Sequence, residues 1–350
     1  MRKGALLVRL ALAGLAAGFA FERAKRHAPL EYDAAERGRM AQSPHEMTWL
    51  GWKDIALRTW SETGKDRLLS VAASVAFFSL MALAPAMSAL VSLFGLVADP
   101  HDVAAQIAPF LTALPEAARE IIVEQARRLA AQTTTSLSFG LVMSLAIAGW
   151  SANAAVKSMF EALNVIYEED EKRSFFKLNL VSLSATMSAL ALLCFAMFVI
   201  AVAPRLVERT TFTAAFEMAV GVLRWPIFFA VAVLAIAALY WIGPSRRPPR
   251  FVWVVPGAVF AALFWAAASA GFSFYAARFG NYAATYGSLA AVVIFMTWLW
   301  ASASAILMGA ELNSELEHQT ARDTTMGRPK PMGRRGAAMA DRVGRAVAGK

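Results

Sequence analysis

The chain has 350 residues, of which 58% are hydrophobic and only 17% charged, with a formal net charge of +9 and one cysteine. So apolar a composition excludes a disordered chain, and the lone Cys194 excludes an intramolecular disulfide framework. A mean hydropathy of +0.49 points to a bilayer, not nucleic acid, as the setting for the positive charge.

Residues 1–46 form a basic segment. Within it, 4–21 is apolar apart from Arg9 and follows Arg2 and Lys3. It reads as an interfacial helix or a further span, with a cleaved signal peptide as the alternative. Residues 22–46 are charged, contain Pro29 and Pro44, and show no sustained apolar period. From 47 to 67 the pattern predicts an amphipathic helix. Trp49, Trp52, Ala56 and Trp60 share one arc at 100° per residue, while Lys53, Asp54 and Arg58 point elsewhere. Tryptophan favours the headgroup level, so a surface helix is expected here; packing on the protein itself is the alternative.

Six apolar stretches follow, at 68–97, 136–156, 178–203, 219–242, 251–272 and 286–310. Each reaches the roughly 20 residues that a helix needs to cross a core about 30 Å thick. Without water inside the bilayer each must satisfy its own backbone, so the expected fold is all-α: a polytopic membrane bundle of about six helices. The membrane domain is set at 68–312, with amphipathic surface helices beside it. The first stretch contains Pro85, which predicts a kink, and Ser74 and Ser79 lie before it. Between the first two stretches, Pro115 and Glu116 open a predicted amphipathic helix over 116–131. The fifth stretch is rich in alanine and predicts close helix packing. Residues 313–350 are basic and rich in Gly and Pro, and read as a disordered tail near the membrane.

Lys and Arg are unevenly placed. Residues 1–67 carry 12, the connections after the second and fourth stretches 4 and 3, and residues 311–350 carry 8. The alternate connections carry 3, 2 and 1. The positive-inside rule then puts both termini in the cytoplasm, in a multi-pass protein of a bacterial cytoplasmic membrane. The expected partners are the bilayer and anionic phospholipid, with a homo-oligomer left open and nucleic acid not expected.

Catalytic chemistry is not visible. His27, His45, His101 and His318 are scattered, and no HExxH pair, Cys/His cluster, GxxxxGK[ST] loop or GxSxG elbow occurs. No metal, cofactor or catalytic residue is therefore expected, and the chain reads as a non-enzyme. Ionisable residues are also absent from the depth of the predicted spans, which argues against a mid-membrane carboxylate relay.

Several motifs resemble the YihY/BrkB family of bacterial inner-membrane proteins, once labelled ribonuclease BN-like. They are Ala72-Ala73-Ser74 with Phe77, Phe78 and Ala84-Pro85, then Ala162-Leu163-Asn164 with Tyr167 and Arg173. Tyr286-Gly287-Ser288-Leu289, Trp298-Leu299 and Gly309-Ala310-Glu311-Leu312-Asn313 complete the pattern. The resemblance spans roughly residues 48–317 and implies six helices with cytoplasmic ends. It is compatible with transport of a lipid, a lipid-linked molecule or a small amphipathic substrate. The pathway residues to test are Ser74, Ser79, Pro85, Asn153, Asn164, Arg173, Tyr286, Ser288, Glu311 and Asn313. The competing reading is a scaffold whose basic termini recruit partners or anionic lipid.

Overall fold

In the computed structural model, residues 35–94, 119–124, 127, 139–208, 214–278 and 289–347 are described. The segment 4–21, Tyr286, Ser288 and most of the predicted 116–131 helix lie outside them. Among the described residues the longer elements are all helices. They are α1 (Trp49–Lys65), α2 (Leu68–Phe94), α3 (Phe139–Ile166), α4 (Phe175–Glu208), α5 (Ala214–Ile242), α6 (Val255–Arg278) and α7 (Leu289–Gln319). From α2 onward each has at least 24 residues, or 36 Å at 1.5 Å per residue. That is enough to cross a hydrocarbon core. Four windows among the described residues are apolar enough throughout to span: Leu68–Met87, Phe175–Leu192, Phe251–Tyr275 and Val292–Gln319. The protein is an all-α membrane bundle.

α7 is the central helix and packs against α6, α2, α1 and α3. The shared core is built from Leu68, Ala72 and Val75 of α2, Leu163 and Ile166 of α3, and Ala237 and Tyr240 of α5. Ala258 and Ala261 of α6 and Ala303 and Leu307 of α7 complete it. Lipid tails are as apolar as leucine, so these helices associate through close packing more than through transfer out of water. The alanine-rich face of α6 supplies that closeness. Gly257 and Gly309 meet where α6 and α7 approach, and a Cβ on Gly309 would stand 2.6 Å from the Tyr240 hydroxyl and 2.7 Å from the Ala261 Cβ. Towards the other end of α7, Phe295 and Trp298 form a second cluster with Trp265, Phe272, Ile121 and Ile122.

α1 begins at Thr48, whose Oγ1 accepts the Gly51 N–H at 3.2 Å as an N-cap. Its inward face is Gly51, Asp54, Ile55, Arg58 and Thr59, while Trp49 and Trp60 are 81% and 77% exposed on the opposite side. Trp52 lies between and packs with Trp253, Leu312 and Leu316. The helix thus docks on its own bundle by one face, with Trp52 at the edge of that contact, and offers Trp49 and Trp60 outward.

Two expectations differ from the structure. α3 and α7 continue to Ile166 and Gln319, past the ends of their apolar runs. Phe160, Leu163, Ile166 and Leu316 keep a buried stripe going after lipid-facing hydrophobicity stops. The disordered tail predicted from residue 313 is also not seen over its described part. Residues 313–319 are the last turns of α7, and Thr320, Thr324, Arg335, Ala337, Met339 and Ala340 are all buried.

Candidate functional site

The polar residues of the described bundle gather at one end, where α1, the α3–α4 turn, the α5–α6 turn, the last turns of α7 and the tail meet. Asn164 ties two of these turns together. Its Oδ1 accepts the Ser245 N–H at 2.7 Å, and its Nδ2 donates to Glu171 Oε2 at 3.0 Å. Arg173 completes the brace, donating to Glu171 and to the carbonyls of Ile242 and Gly243 at the open C-terminus of α5. Burial works to raise the Glu171 carboxyl, but these hydrogen bonds outweigh it and hold the group at about 2. The stability it contributes is complete above its ordinary 4.5 and is lost as pH falls towards 2.

Asn313 does the matching work at the other end of the α5–α6 connection. Its Oδ1 accepts the Gly257 N–H at 2.8 Å and its Nδ2 donates to the Val254 carbonyl at 2.9 Å, so α7 caps the first turn of α6. Ser314 donates to the Ile166 carbonyl at the end of α3. Deeper ion pairs lock the same region. Arg246 makes a two-pronged contact to Glu317 at 2.8 and 2.9 Å and lies 4.0 Å over the Tyr167 ring. Arg58 pairs with Glu315 and reaches Gln319, and Arg37 pairs with Asp54 at 2.7 Å. Glu311 is 1% exposed, its Oε2 has no partner, and its strongest charged neighbours, led by Asp66, are acidic.

A different arrangement lies between α3 and α4. Asn153 is 1% exposed, and its carboxamide lies 3.1 Å from Thr186 Oγ1, whose hydroxyl also donates to the Ser182 carbonyl at 2.9 Å, so Thr186 is the one partner of this buried amide. One turn further along α3, Lys157 Nζ donates to Asn179 Oδ1 at 2.5 Å and stands 5.2 Å from the centroid of the half-exposed Trp150 ring. Asn179, Ser182 and Thr186 are spaced i, i+3 and i+7 on α4, which places them on one face. Gly149, a turn before Asn153, lets α4 come close, since a Cβ there would lie 3.2 Å from Met187 Cε. Thr186 is eleven residues past Phe175, where the apolar window of α4 begins, so it is about 16 Å along the axis. The result is a polar seam reaching about halfway through a core of roughly 30 Å.

The structure therefore divides the sequence-predicted residues. Asn164, Arg173, Glu311 and Asn313 meet at the polar end. Asn153 belongs to the α3–α4 seam. On α2, Ser74 is exposed on the face that carries Phe77, Phe78 and Met81, and its hydroxyl bonds to its own turn at Val71. Ser79 and Pro85 are half-buried, and the helix continues through Pro85. Lys157 lies one residue past the second apolar stretch, and Asn179, Ser182 and Thr186 fall within the third, where their polar spacing is the only sequence signal that sets them apart. Among the described residues, no three His, Cys, Asp or Glu side chains gather so as to hold a metal ion.

Long apolar helices interlocked through one polar end define an integral membrane protein. Residues 59–332 match the Virulence factor BrkB family, and the chain belongs to it. Among curated relatives, a ribonuclease-like protein of Bacillus subtilis, YfkH, is 32% identical over 254 residues, covering 71% of this chain and 89% of that one. A membrane protein of Kangiella koreensis designated UPF0761 is 24% identical over 272 residues, covering 75% of this chain and 64% of its own length. Its counterpart in Rhodospirillum centenum is 28% identical over 296 residues, covering 83% of this chain and 62% of its own. No solved structure matches the chain.

Proposed function

We propose that the protein translocates a phosphate-bearing amphipathic molecule, a phospholipid or lipid-linked substrate, across a bacterial cytoplasmic membrane, without catalysing a covalent reaction. The observation that carries this reading is the α3–α4 seam. A carboxamide buried at membrane depth with a single partner leaves polar atoms unpaired at about 1–3 kcal/mol, and polar groups inside membranes mark paths. Lys157 at the mouth offers a cation for a phosphate, and Asn153, Ser182 and Thr186 offer amide and hydroxyl contacts deeper in. The head of an amphipathic molecule could move along this strip while its chains stay in lipid. The polar end is assigned to the cytoplasm because its described segments carry 20 of the chain's 34 Lys and Arg.

The test is movement of a labelled phospholipid between leaflets of liposomes containing the purified protein. Movement should exceed that in protein-free liposomes and fall at least about tenfold in Asn153→Leu/Thr186→Val, which keeps size but removes the seam's deep polar groups. Equal rates for variant and native protein would sink the seam as the path, and no movement above the blank would sink uncoupled translocation.

A further inference from the structure

The tail's order is informative because part of it contributes nothing visible to the fold. After α7, Arg250 N–H donates to the Thr324 carbonyl at 2.8 Å and Met326 N–H to the Pro248 carbonyl at 2.9 Å, around a bridge between Pro249 and Thr325. Phe251, two residues on, opens the apolar window Phe251–Tyr275. Two residues span at most about 7 Å, so the loop 326–334 leaves the protein close to the level where α6 enters the bilayer.

Both ends of that loop are clamped. Asp323 accepts from the N–H and hydroxyl of Thr325 and from the Lys330 N–H. Asp341 accepts from the N–H groups of Gly333, Arg335 and Gly336. Gly333 and Gly336 have φ of +84° and +74°, conformations that favour glycine. Buried Arg335 donates to the carbonyls of Ala321, Arg322 and Ala340, which fixes the base of the loop. Between the clamps, Met326, Arg328, Lys330, Met332 and Arg334 are all exposed, as are Phe251 and Val252 beside them at 45% each. Among the described residues no ion pair or hydrogen bond engages the side chains of Arg328, Lys330 or Arg334. The two acids of the segment, Asp323 and Asp341, are already occupied by the clamps.

We infer that the loop 326–334 is a docking surface for the anionic phospholipid headgroups of the surrounding leaflet. Three cations held at bilayer level attract an anionic surface, and the methionines between them suit the boundary where headgroups meet acyl chains. A single-stranded nucleic acid site would present aromatic stacking platforms among its cations, and the loop has none. The inference is independent of whether the protein moves a substrate.

The probe is phosphatidylglycerol against phosphatidylcholine, added to the full-length protein in uncharged detergent micelles, with retained lipid counted by native mass spectrometry. Each cation near an anionic surface contributes about fivefold. The triple variant Arg328→Gln/Lys330→Gln/Arg334→Gln should therefore lower phosphatidylglycerol affinity on the order of 100-fold. Phosphatidylcholine retention and the lipid-free thermal midpoint should stay unchanged, because these side chains have no partner in the fold. Native affinity in that variant would overturn the inference. So would an equal loss from neutralising Lys53, Arg67 and Lys177, which are exposed elsewhere, or displacement of the lipid by a single-stranded RNA oligonucleotide.

Discussion

Gly257→Ala probes the tightest approach between α6 and α7. A Cβ at position 257 would stand 2.5 Å from Asn313 Cγ and 2.6 Å from its Nδ2, and would also meet the Gly309 carbonyl oxygen. Carbon atoms pack comfortably at about 3.5–4.0 Å, so the Gly309 backbone, and with it α7, must yield by more than about 1 Å and take the Asn313 side chain with it. Overpacking of this kind costs about 1–3 kcal/mol. If the carboxamide is displaced, the Gly257 N–H and Val254 carbonyl lose their partners, each at about 1–3 kcal/mol. The expected destabilisation is about 3–9 kcal/mol. Asn313→Ala removes the same two hydrogen bonds without the clash and should cost about 2–6 kcal/mol. Because both changes act on one carboxamide, the double variant should cost less than the sum by at least about 1 kcal/mol. Unfolding in mixed micelles with increasing sodium dodecyl sulfate, followed by tryptophan fluorescence, measures all three. Additivity within about 0.5 kcal/mol, or a neutral Gly257→Ala, would refute the trans-capping contact.

Other outcomes follow from the polar end. Burial, then Glu62 and Glu168, push the Asp66 carboxyl from its ordinary 3.8 up to about 6. A raised carboxyl contributes stability that is complete below 3.8 and lost as pH rises through about 6. Asp66→Asn should therefore melt higher than the native protein at about pH 7.5 and level with it near pH 3.5; equal midpoints at both would contradict the burial of this charge. Arg335→Ala should free the tail, so that limited trypsin digestion cuts at Arg322 or Arg342 much faster than in the native protein, and an unchanged digestion pattern would refute the clamp. Arg246→Lys loses the two-pronged contact to Glu317 and the stacking on Tyr167, and should lower stability by about 3 kcal/mol in the same micelle titration; a loss below about 1 kcal/mol would show that Lys replaces it adequately.

The helices were legible because lipid demands long unbroken apolar runs, and the basic segments were legible because charge marks the ends of those runs. Asn164 and Asn313 were visible as similar strings after two spans, Ala-Leu-Asn and Glu-Leu-Asn. What sequence could not reveal is that the two carboxamides take an N–H on either side of the α5–α6 turn, at Ser245 after α5 and at Gly257 in the first turn of α6. That is a tertiary fact with no local period. The tail misled for a related reason. Gly- and Pro-rich composition signals a chain without a core, yet Arg335 and Asp341 order it by collecting carbonyls and N–H groups from its own turns. Lys157 was hidden by the habit of ending a span at the first charge, whereas α3 runs nine residues past it.

The central claim is that the α3–α4 seam carries the substrate head. Gly149→Cys and Met187→Cys, which face each other between α3 and α4 and are placed in a Cys194→Ala background that leaves no other thiol, can be bridged across the inner end of the seam by a reducible bifunctional thiosulfonate. Movement of labelled phospholipid in liposomes is then read before bridging, after it, and after reduction. The account predicts movement that stops on bridging and returns on reduction. Bridged protein that moves lipid at the unbridged rate would contradict it.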